Sequence, residues 1–558
     1  MASQVTIRMR RSAAERHALV QVERAIRSSD SHTRRKYIRE YAEAFPSYES
    51  VLTPAQLQNA LLSSGVVLIG DYHALPASQR LACALLEQLE AARARPVVLG
   101  LETVFSRDQA ALDEWMRGEV DEAELRDRIR FDLDWGYDWQ PLLALLESAR
   151  RHAAGLYGLD CMPRDDLRRI SARDRHAAAK LAEIRARHPD AIVLVLFGES
   201  HLAPSHLPAE VRSRLPGERV FTVLQNVDAL YWQATGERRE RVEAVRVAPD
   251  VACVFTATPL EKYESYRLCI ERWRQDTAPP DFAPTFYNLV DALLRFFNID
   301  RYSPQTGARA QFLVDLLPAV SARSGNDEVR SRMLRTGASE SGVREALDRL
   351  AERGSFYVPA LNTLFVRNFQ LAHGSEDAAR FLHHACSGSL AVRTAAGDLG
   401  PEDTFYVRTM EHALADFAAR VLYPARPIVR EQDLYALYTQ TREAVEEQGI
   451  CTYREYMHVA DFLVMHKDYE SNLSAYLDVP PLMREGVLLP GARGRFAAEM
   501  LGKLLGSQLY SAYVAGRVRK RFLRSLYCRA LHQPGAARTA YFVAVRRTRM
   551  PKKKVLAA

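Results

Sequence analysis

Short apolar runs alternate with longer amphipathic stretches between residues 66 and 230. The runs are rich in Val, Ile and Leu, which is typical of strands buried on both faces of a parallel sheet. The stretches between them space their leucines as a helix face does, for example Leu81, Leu85 and Leu89. Strands alternating with helices predict an α/β domain whose parallel sheet is flanked by helices. The predicted strands are Val66–Ile69, Val97–Leu101, Leu156–Leu159, Ile192–Phe197 and Val220–Leu224.

The alternation stops after Pro279 and Pro280, and the remaining pattern is mostly helical. One stretch, residues 341–366, instead predicts a helix followed by two short strands, an outline similar to a small winged helix. The chain therefore divides into an N-terminal helical extension over residues 1–60, an α/β domain over 61–275 and a mostly α-helical C-terminal region over 281–558.

Composition narrows the class of protein. A chain of 558 residues is too long for one hydrophobic core, and 47% hydrophobic with 26% charged residues is ordinary for a globular protein. A net charge of +7 is small for this length, so nucleic acid is not expected as a partner. Without a long apolar run or a recognisable export signal, no transmembrane segment is expected and the predicted location is cytoplasmic. The 7 cysteines are scattered, which favours reduced thiols over a disulfide framework or a zinc ribbon.

Polar side chains follow the predicted strands at the point where each one ends. Asp71 and His73 follow the first strand, Glu102 ends the second, and Glu199 and His201 follow the fourth. Because the carboxyl ends of parallel strands meet at one edge of a sheet, we expect these groups to share one site.

Two of these strand ends repeat the same order of residues: glycine, acid, any residue, histidine. The first is Gly70–His73 and the second is Gly198–His201. Paired histidines with carboxylates suit a divalent metal such as Mn, Zn or Fe, with mixed nitrogen and oxygen ligands. Without a metal they suit a histidine general base oriented by a carboxylate. The candidate metal ligands are Asp71, His73, Glu102, Glu199 and His201.

These motifs resemble the ChaN-like branch of a superfamily that includes haem-binding ChaN proteins, erythromycin esterases, Tiki proteins and TraB proteins. The resemblance covers about residues 60–260. It rests on Gly70–His73, on Leu101 with Glu102, on the Trp135–Trp139 loop, on the helix that carries Arg175, and on Gly198–His201. It implies the same α/β fold.

The resemblance also implies roles for particular residues. In hydrolytic members the first histidine and the glutamate are active-site residues, which correspond here to His73 and Glu102, accompanied by His201 and Arg175. ChaN-type members are haem-binding lipoproteins of iron uptake. Two residues depart from the family pattern, because Asp71 replaces a glutamate and Glu199 stands where a small residue is usual.

Three functions therefore remain open. The first is a ChaN-like module that binds haem, iron or another divalent metal at the His/Glu site. The second is an esterase-like or peptidase-like hydrolase that uses His73, Glu102 and His201, with a small molecule as substrate. The third is a scaffold with a degenerate site. The C-terminal region would cover the site, recruit a partner or stabilise a homodimer; its His383, His384 and Glu411 lack metal-ligand spacing, so we expect them to be structural.

Overall fold

A computed structural model of the chain forms two compact units. One comprises Leu19–Pro280, and the other comprises Met1–Ala18 together with Asp281–Ala558. Whether the three predicted segments fold as independent domains stays a prediction. The structure describes residues 2–29, 36–161, 170–237, 242–274, 281–299, 317–322, 324–387, 399–424, 426, 428–440, 442, 445, 452–471 and 492–549.

The first unit contains an eight-stranded sheet with the order β1-β7-β8-β6-β2-β5-β3-β4. From β8 to β4 all neighbouring strands run parallel, whereas β7 is antiparallel to both β8 and β1. The predicted α/β class with a parallel sheet flanked by helices is confirmed. The strands are β1 Ser50–Leu52, β2 Val66–Asp71, β3 Val97–Phe105, β4 Gly155–Asp160, β5 Ile192–Gly198, β6 Val220–Gln225, β7 Ala244–Ala248 and β8 Val251–Val254.

The register of the central strands brings their carboxyl ends level. Asp71 at the end of β2 pairs with Gly198 at the end of β5, and Leu101 of β3 pairs with Leu196 of β5. Between β3 and β4 the register shifts after Leu101, so that Phe105 pairs with Asp160. Such an irregularity re-aims side chains next to it. Here it lies at Glu102, one of the predicted site residues.

Helices connect the strands, and their sequences explain where they begin. Thr53 caps its helix by accepting a hydrogen bond from the Gln56 amide, and Pro76 occupies the first turn of the helix after β2, where its missing N–H costs nothing. The helices up to residue 274 are α1 Ala2–Ser29, α2 Lys36–Ala44, α3 Pro54–Leu62, α4 Pro76–Ala91, α5 Gln109–Arg117, α6 Glu122–Arg128, α7 Phe131–Asp134, α8 Trp139–His152, α9 Ile170–Arg187, α10 Leu207–Arg214, α11 Asp228–Glu237 and α12 Pro259–Arg274.

The second unit is mostly helical, as predicted, and it also holds a three-stranded sheet. The strands are β9 Ala319–Ala322, β10 Ser355–Val358 and β11 Thr363–Val366, in the order β10-β11-β9. The predicted helix and two strands within residues 341–366 are therefore present. The helices are α13 Ala283–Phe297, α14 Asn326–Leu334, α15 Glu340–Arg353, α16 Leu371–Ser387, α17 Pro401–Leu422, α18 Glu431–Tyr435, α19 Tyr453–Ser471, α20 Ala492–Val514, α21 Lys520–Tyr527 and α22 Ala536–Thr548.

Within the described part of the chain, no helix combines the length and the apolar character needed to cross a membrane.

Candidate functional site

Glu102 lies at the centre of a buried cluster at the carboxyl ends of β2, β5, β3 and β4. Its side chain is 3% exposed. Oε1 accepts a hydrogen bond of 2.5 Å from Arg173, and Oε2 accepts one from the backbone amide of Gly198. The same guanidinium donates to both carboxylate oxygens of Asp160, at 2.8 and 2.9 Å. Arg173 thus compensates two buried carboxylates, which hold its pKa above the ordinary value although burial acts in the opposite direction.

His73 approaches Glu102 from β2. Its Nδ1 and Asp71 Oδ2 are 2.7 Å apart, and its Nε2 lies 3.6 Å from Glu102 Oε2. The side chain of Gln79 donates to the other oxygen of Asp71 at 2.7 Å. A carboxylate that is fixed in this way fixes the tautomer and the orientation of the imidazole, and directs Nε2 to the centre of the cluster.

Two aromatic rings pack against the His73 side chain. Tyr137 stacks on the imidazole with centroids 5.7 Å apart, and Trp135 meets it edge-on at 4.6 Å. Both rings come from the loop before α8. The side chain of His73 keeps 28% of its surface exposed, so it is the part of the cluster that solvent reaches best among His73, Glu102 and His201.

His201 approaches Glu102 from β5, in the same way as His73 does from β2. Its Nδ1 lies 2.5 Å from Asp174 Oδ1, and its Nε2 lies 3.9 Å from Glu102 Oε1. Tyr37 on α2 donates its hydroxyl to the other oxygen of Asp174. Burial, followed by the charge of Asp174, raises the pKa of Tyr37 far above its usual range, so the phenol keeps its proton and remains a donor.

The three predicted residues converge on Gly198. A Cβ atom added at this position would lie 2.9 Å from Glu102 Oε2, 3.2 Å from His73 Nε2 and 3.5 Å from His201 Cδ2. A side chain would therefore displace the cluster, whereas glycine lets the backbone approach Glu102 closely enough to donate its amide. The residues that the sequence placed at separate strand ends are brought together around this backbone position.

Glu199 and Arg175 are not brought into this cluster. Glu199 pairs with the buried Lys262 at 2.9 Å, an ion pair that also involves the ring of Tyr72, 4.7 Å from the ammonium. Arg175 is exposed, and its nearest described partner is Ser171. Two residues along a helix turn the side chain by about 200°. Arg173, rather than Arg175, therefore occupies the buried face of α9.

Sequence reasoning missed the residues that orient the histidines and compensate the glutamate. Arg173 and Asp174 lie in the first turns of α9 and carry no motif, while Tyr37 lies in the predicted N-terminal helical extension. Only α9 offered a sequence signal for these residues, because its pattern includes the adjacent charged residues Arg173 and Asp174. Charged side chains that become buried need partners of opposite charge or with hydrogen-bonding capacity.

The donor atoms of the cluster and their contacts decide which cofactor it could bind. Haem does not fit at His73, since Nε2 faces the buried carboxylate of Glu102 and rings pack against the imidazole. A divalent ion would compete with the guanidinium of Arg173 for Glu102. Among the described residues, only His384, Glu411 and His532 form a group whose donor atoms all lie within 4.8 Å of one another.

The fold and the cluster define an open α/β protein with a histidine–carboxylate site at the carboxyl ends of its parallel strands. Residues 57–193 match the family model for "Haem-binding uptake, Tiki superfamily, ChaN", so the predicted resemblance to this superfamily is confirmed over that segment.

Two solved structures are similar to the chain. The first is ChaN of Campylobacter jejuni with cofacially bound haem, at 13% identity over 33% of this chain and 93% of that chain, with a TM-score of 0.25. The second is the type III effector HopBA1, at 15% identity over 37% and 95%, with a TM-score of 0.28. No curated protein shows significant similarity to the sequence.

Proposed function

We propose that the strand-end cluster is the acid–base centre of a hydrolase that cleaves a carboxylic ester or amide, with His73 as its general base. One observation carries the proposal: two imidazoles, each with its Nδ1 against an aspartate, direct their Nε2 atoms toward opposite oxygens of Glu102. An aspartate behind a histidine sets the tautomer and stabilises the imidazolium that forms when the ring takes a proton.

The proton follows a simple route in this proposal. Nε2 of His73 removes a proton from a water molecule while the water oxygen attacks the carbonyl carbon of the substrate. The bond to the leaving group then breaks, and the leaving group takes the proton from His73. Glu102 lies beside the imidazole and stabilises its positive charge. His201, which is 5% exposed at its side chain, holds the opposite side of Glu102 in place.

The charges around Glu102 support a reaction that uses no metal at this cluster. Its oxygens already accept hydrogen bonds from Arg173 and from the amide of Gly198. A divalent ion here would have to displace the guanidinium or share a carboxylate with it, at a cost in charge repulsion. If His73 acts as a general base, the ion pair between Arg173 and Glu102 stays intact.

Haem binding is the second candidate, and the match to a haem-binding uptake family favours it. The contacts of His73 argue against haem at the strand ends, so this candidate would use another surface of the chain. A visible spectrum of the protein with added haem separates the two candidates. A Soret band that survives the double substitution of His73 and His201 would assign haem to a different surface.

Turnover by variants tests the hydrolase. We would assay the full chain against p-nitrophenyl acetate, p-nitrophenyl butyrate and a fluorogenic casein. Loss of a general base lowers turnover by about 10²–10⁴-fold. We therefore expect His73→Ala and Glu102→Gln to be nearly inactive.

The controls are chosen outside the cluster. Arg175→Ala changes an exposed residue of α9, and His152→Ala removes a surface histidine that pairs with Glu90. Both should retain wild-type turnover. If the wild type cleaves no member of the panel, or if His73→Ala cleaves as fast as the controls, the hydrolase proposal is wrong and a scaffold with a degenerate site is the better description.

A further inference from the structure

The helical unit brings three possible metal ligands together from distant parts of the sequence. His384 lies near the end of α16, Glu411 in the middle of α17, and His532 in the segment between α21 and α22. From each residue, one donor atom lies within 4.8 Å of the donor atoms of the other two. We call these residues the His384–Glu411–His532 group.

The distances within the group are those of ligands around one ion. Nε2 of His384 and Nε2 of His532 each lie 3.5 Å from Oε1 of Glu411. Two ligand atoms at the usual zinc distances, set at a tetrahedral angle, are about 3.4 Å apart. A single oxygen of Glu411 therefore faces both histidines at close to the spacing that coordination requires.

The imidazole of His532 supplies a second observation. Its Nε2 is buried and makes no hydrogen bond, although the carboxylate of Glu411 is 3.5 Å away. A buried polar atom without a hydrogen bond costs free energy that a ligand would recover. The side chains of Glu411 and His532 are 23% and 27% exposed, so an ion from solvent can reach the group.

A positive charge beside the group would repel a metal ion unless it were compensated. The nearby Arg380 is paired with Glu376 and Asp377, at 3.6 and 3.2 Å.

We infer that His384, Glu411 and His532 form a binding site for a divalent transition metal, with Zn²⁺ as the ion that the donor set fits best. Two histidines and one carboxylate are the protein ligands of one class of zinc sites, and they leave a fourth position for water. The site lies in the helical unit and shares no residue with the strand-end cluster. Without an ion, the same residues would form a structural ion pair in which a proton on His532 faces Glu411.

Zinc binding distinguishes the metal site from the ion pair. We would strip the full chain with a chelator, titrate it with Zn²⁺ by calorimetry and record the absorption of the Co²⁺ form. The wild type should bind one equivalent. Glu411→Gln and His532→Ala should each bind at least about tenfold more weakly, because each removes a direct ligand. Far-UV circular dichroism of the variants checks that they remain folded.

A matched control lies on the same helix as Glu411. Glu402→Gln changes an exposed carboxylate of α17 that pairs with Arg538, and it should bind zinc as the wild type does. Equal affinity in Glu411→Gln, His532→Ala and the wild type, or no stoichiometric zinc in the wild type, would show that the group is only an ion pair.

Two further results would place the zinc elsewhere and overturn the inference. Loss of zinc in the double variant of His73 and His201 would assign it to the strand-end cluster. Sulfur scatterers in the X-ray absorption spectrum of the zinc form would assign it to cysteine. The expected spectrum shows nitrogen and oxygen ligands only, with the multiple-scattering pattern of imidazole.

Discussion

The Nδ1 atom of His73 and the Oδ2 atom of Asp71 are 2.7 Å apart, although only one residue separates the two in sequence. The end of β2 makes this geometry possible. Asp71 is the last residue of the strand and is buried, while His73 already belongs to the turn that leads into α4. The aspartate therefore acts on a ring that reaches over the strand end toward Glu102.

Replacing Asp71 by asparagine should change the tautomer of His73. An amide can donate to Nδ1 and thereby favour the proton on Nε2, which removes the base from the side that faces Glu102. We expect a new pattern of imidazole ¹⁵N shifts for His73, and a fall in any turnover by at least about 100-fold. Asp113→Asn, an exposed residue of α5, serves as the control. Unchanged ¹⁵N shifts would contradict the orienting role of Asp71.

Replacing Arg173 by methionine should destabilise the first unit. The change leaves the carboxylates of Glu102 and Asp160 buried without their positive partner, which costs about 3–5 kcal/mol. All 5 tryptophans of the chain lie between Trp115 and Trp273, so tryptophan fluorescence during urea unfolding reports on this unit alone. Arg175→Met should stay within about 0.5 kcal/mol of the wild type. Equal effects of the two substitutions would be incompatible with the buried ion pairs.

A methyl group at Gly198 should disturb the whole cluster. The added Cβ would approach Glu102 Oε2 to 2.9 Å and His73 Nε2 to 3.2 Å, so that one of the side chains must move. We expect Gly198→Ala to lose about 1–3 kcal/mol in the same fluorescence-detected unfolding. Its His73 ¹⁵N shifts should move as well. A variant with wild-type stability and wild-type ¹⁵N shifts would contradict the close packing of Glu102 and His73 against Gly198.

Glu470 should contribute to stability in a pH-dependent way. Burial alone would raise its pKa, but the hydrogen bond from His466 and the charge of Lys467 lower it to about 2. An unfolded glutamate titrates near 4.3, so the ionised carboxylate stabilises the fold above that pH by about 3 kcal/mol, and this contribution is lost as the pH falls toward 2. Glu470→Gln should therefore be most destabilising at pH 7.

Unfolding of the helical unit measures this difference. The unit has no tryptophan, so its transition is the part of the far-UV circular dichroism change that fluorescence does not follow. The difference in unfolding free energy between the wild type and Glu470→Gln should become smaller from pH 7 to pH 3. A difference that stays constant over this range would show that the charge of Glu470 has no role in stability.

The central strands could be predicted from the sequence because each one is a short, continuous apolar run. The predicted strands Val66–Ile69 and Ile192–Phe197 extend in the structure by only two residues and one residue, respectively. By contrast, β1, β7 and β8 were not predicted. They are three to five residues long, and β1 and β7 are partly exposed, so their hydrophobic pattern is too weak to separate them from loops.

Within the candidate site, the sequence supplied the residues at strand ends but not those that come from helices. The helix α9 offers Arg173, Asp174 and Arg175 in succession, and its buried face depends on how the helix packs. The His384–Glu411–His532 group was also missed because its convergence depends on helix packing. Its residues come from three separate elements, so no local spacing reveals them, and His384 and Glu411 were expected to be structural.

The position of β5 within the sheet has a consequence for how the first unit folds during synthesis. β2 pairs with β5 and β6, both of which follow it by more than a hundred residues, and β5 lies between β2 and β3. A nascent chain that has emerged only as far as β4 therefore holds a hydrophobic strand with no partner. Long-range pairing of this kind folds slowly and leaves strand edges open to aggregation. Ribosome-bound chains from which Ile192 has not yet emerged should depend on chaperones, and those from which Gln225 has emerged should not.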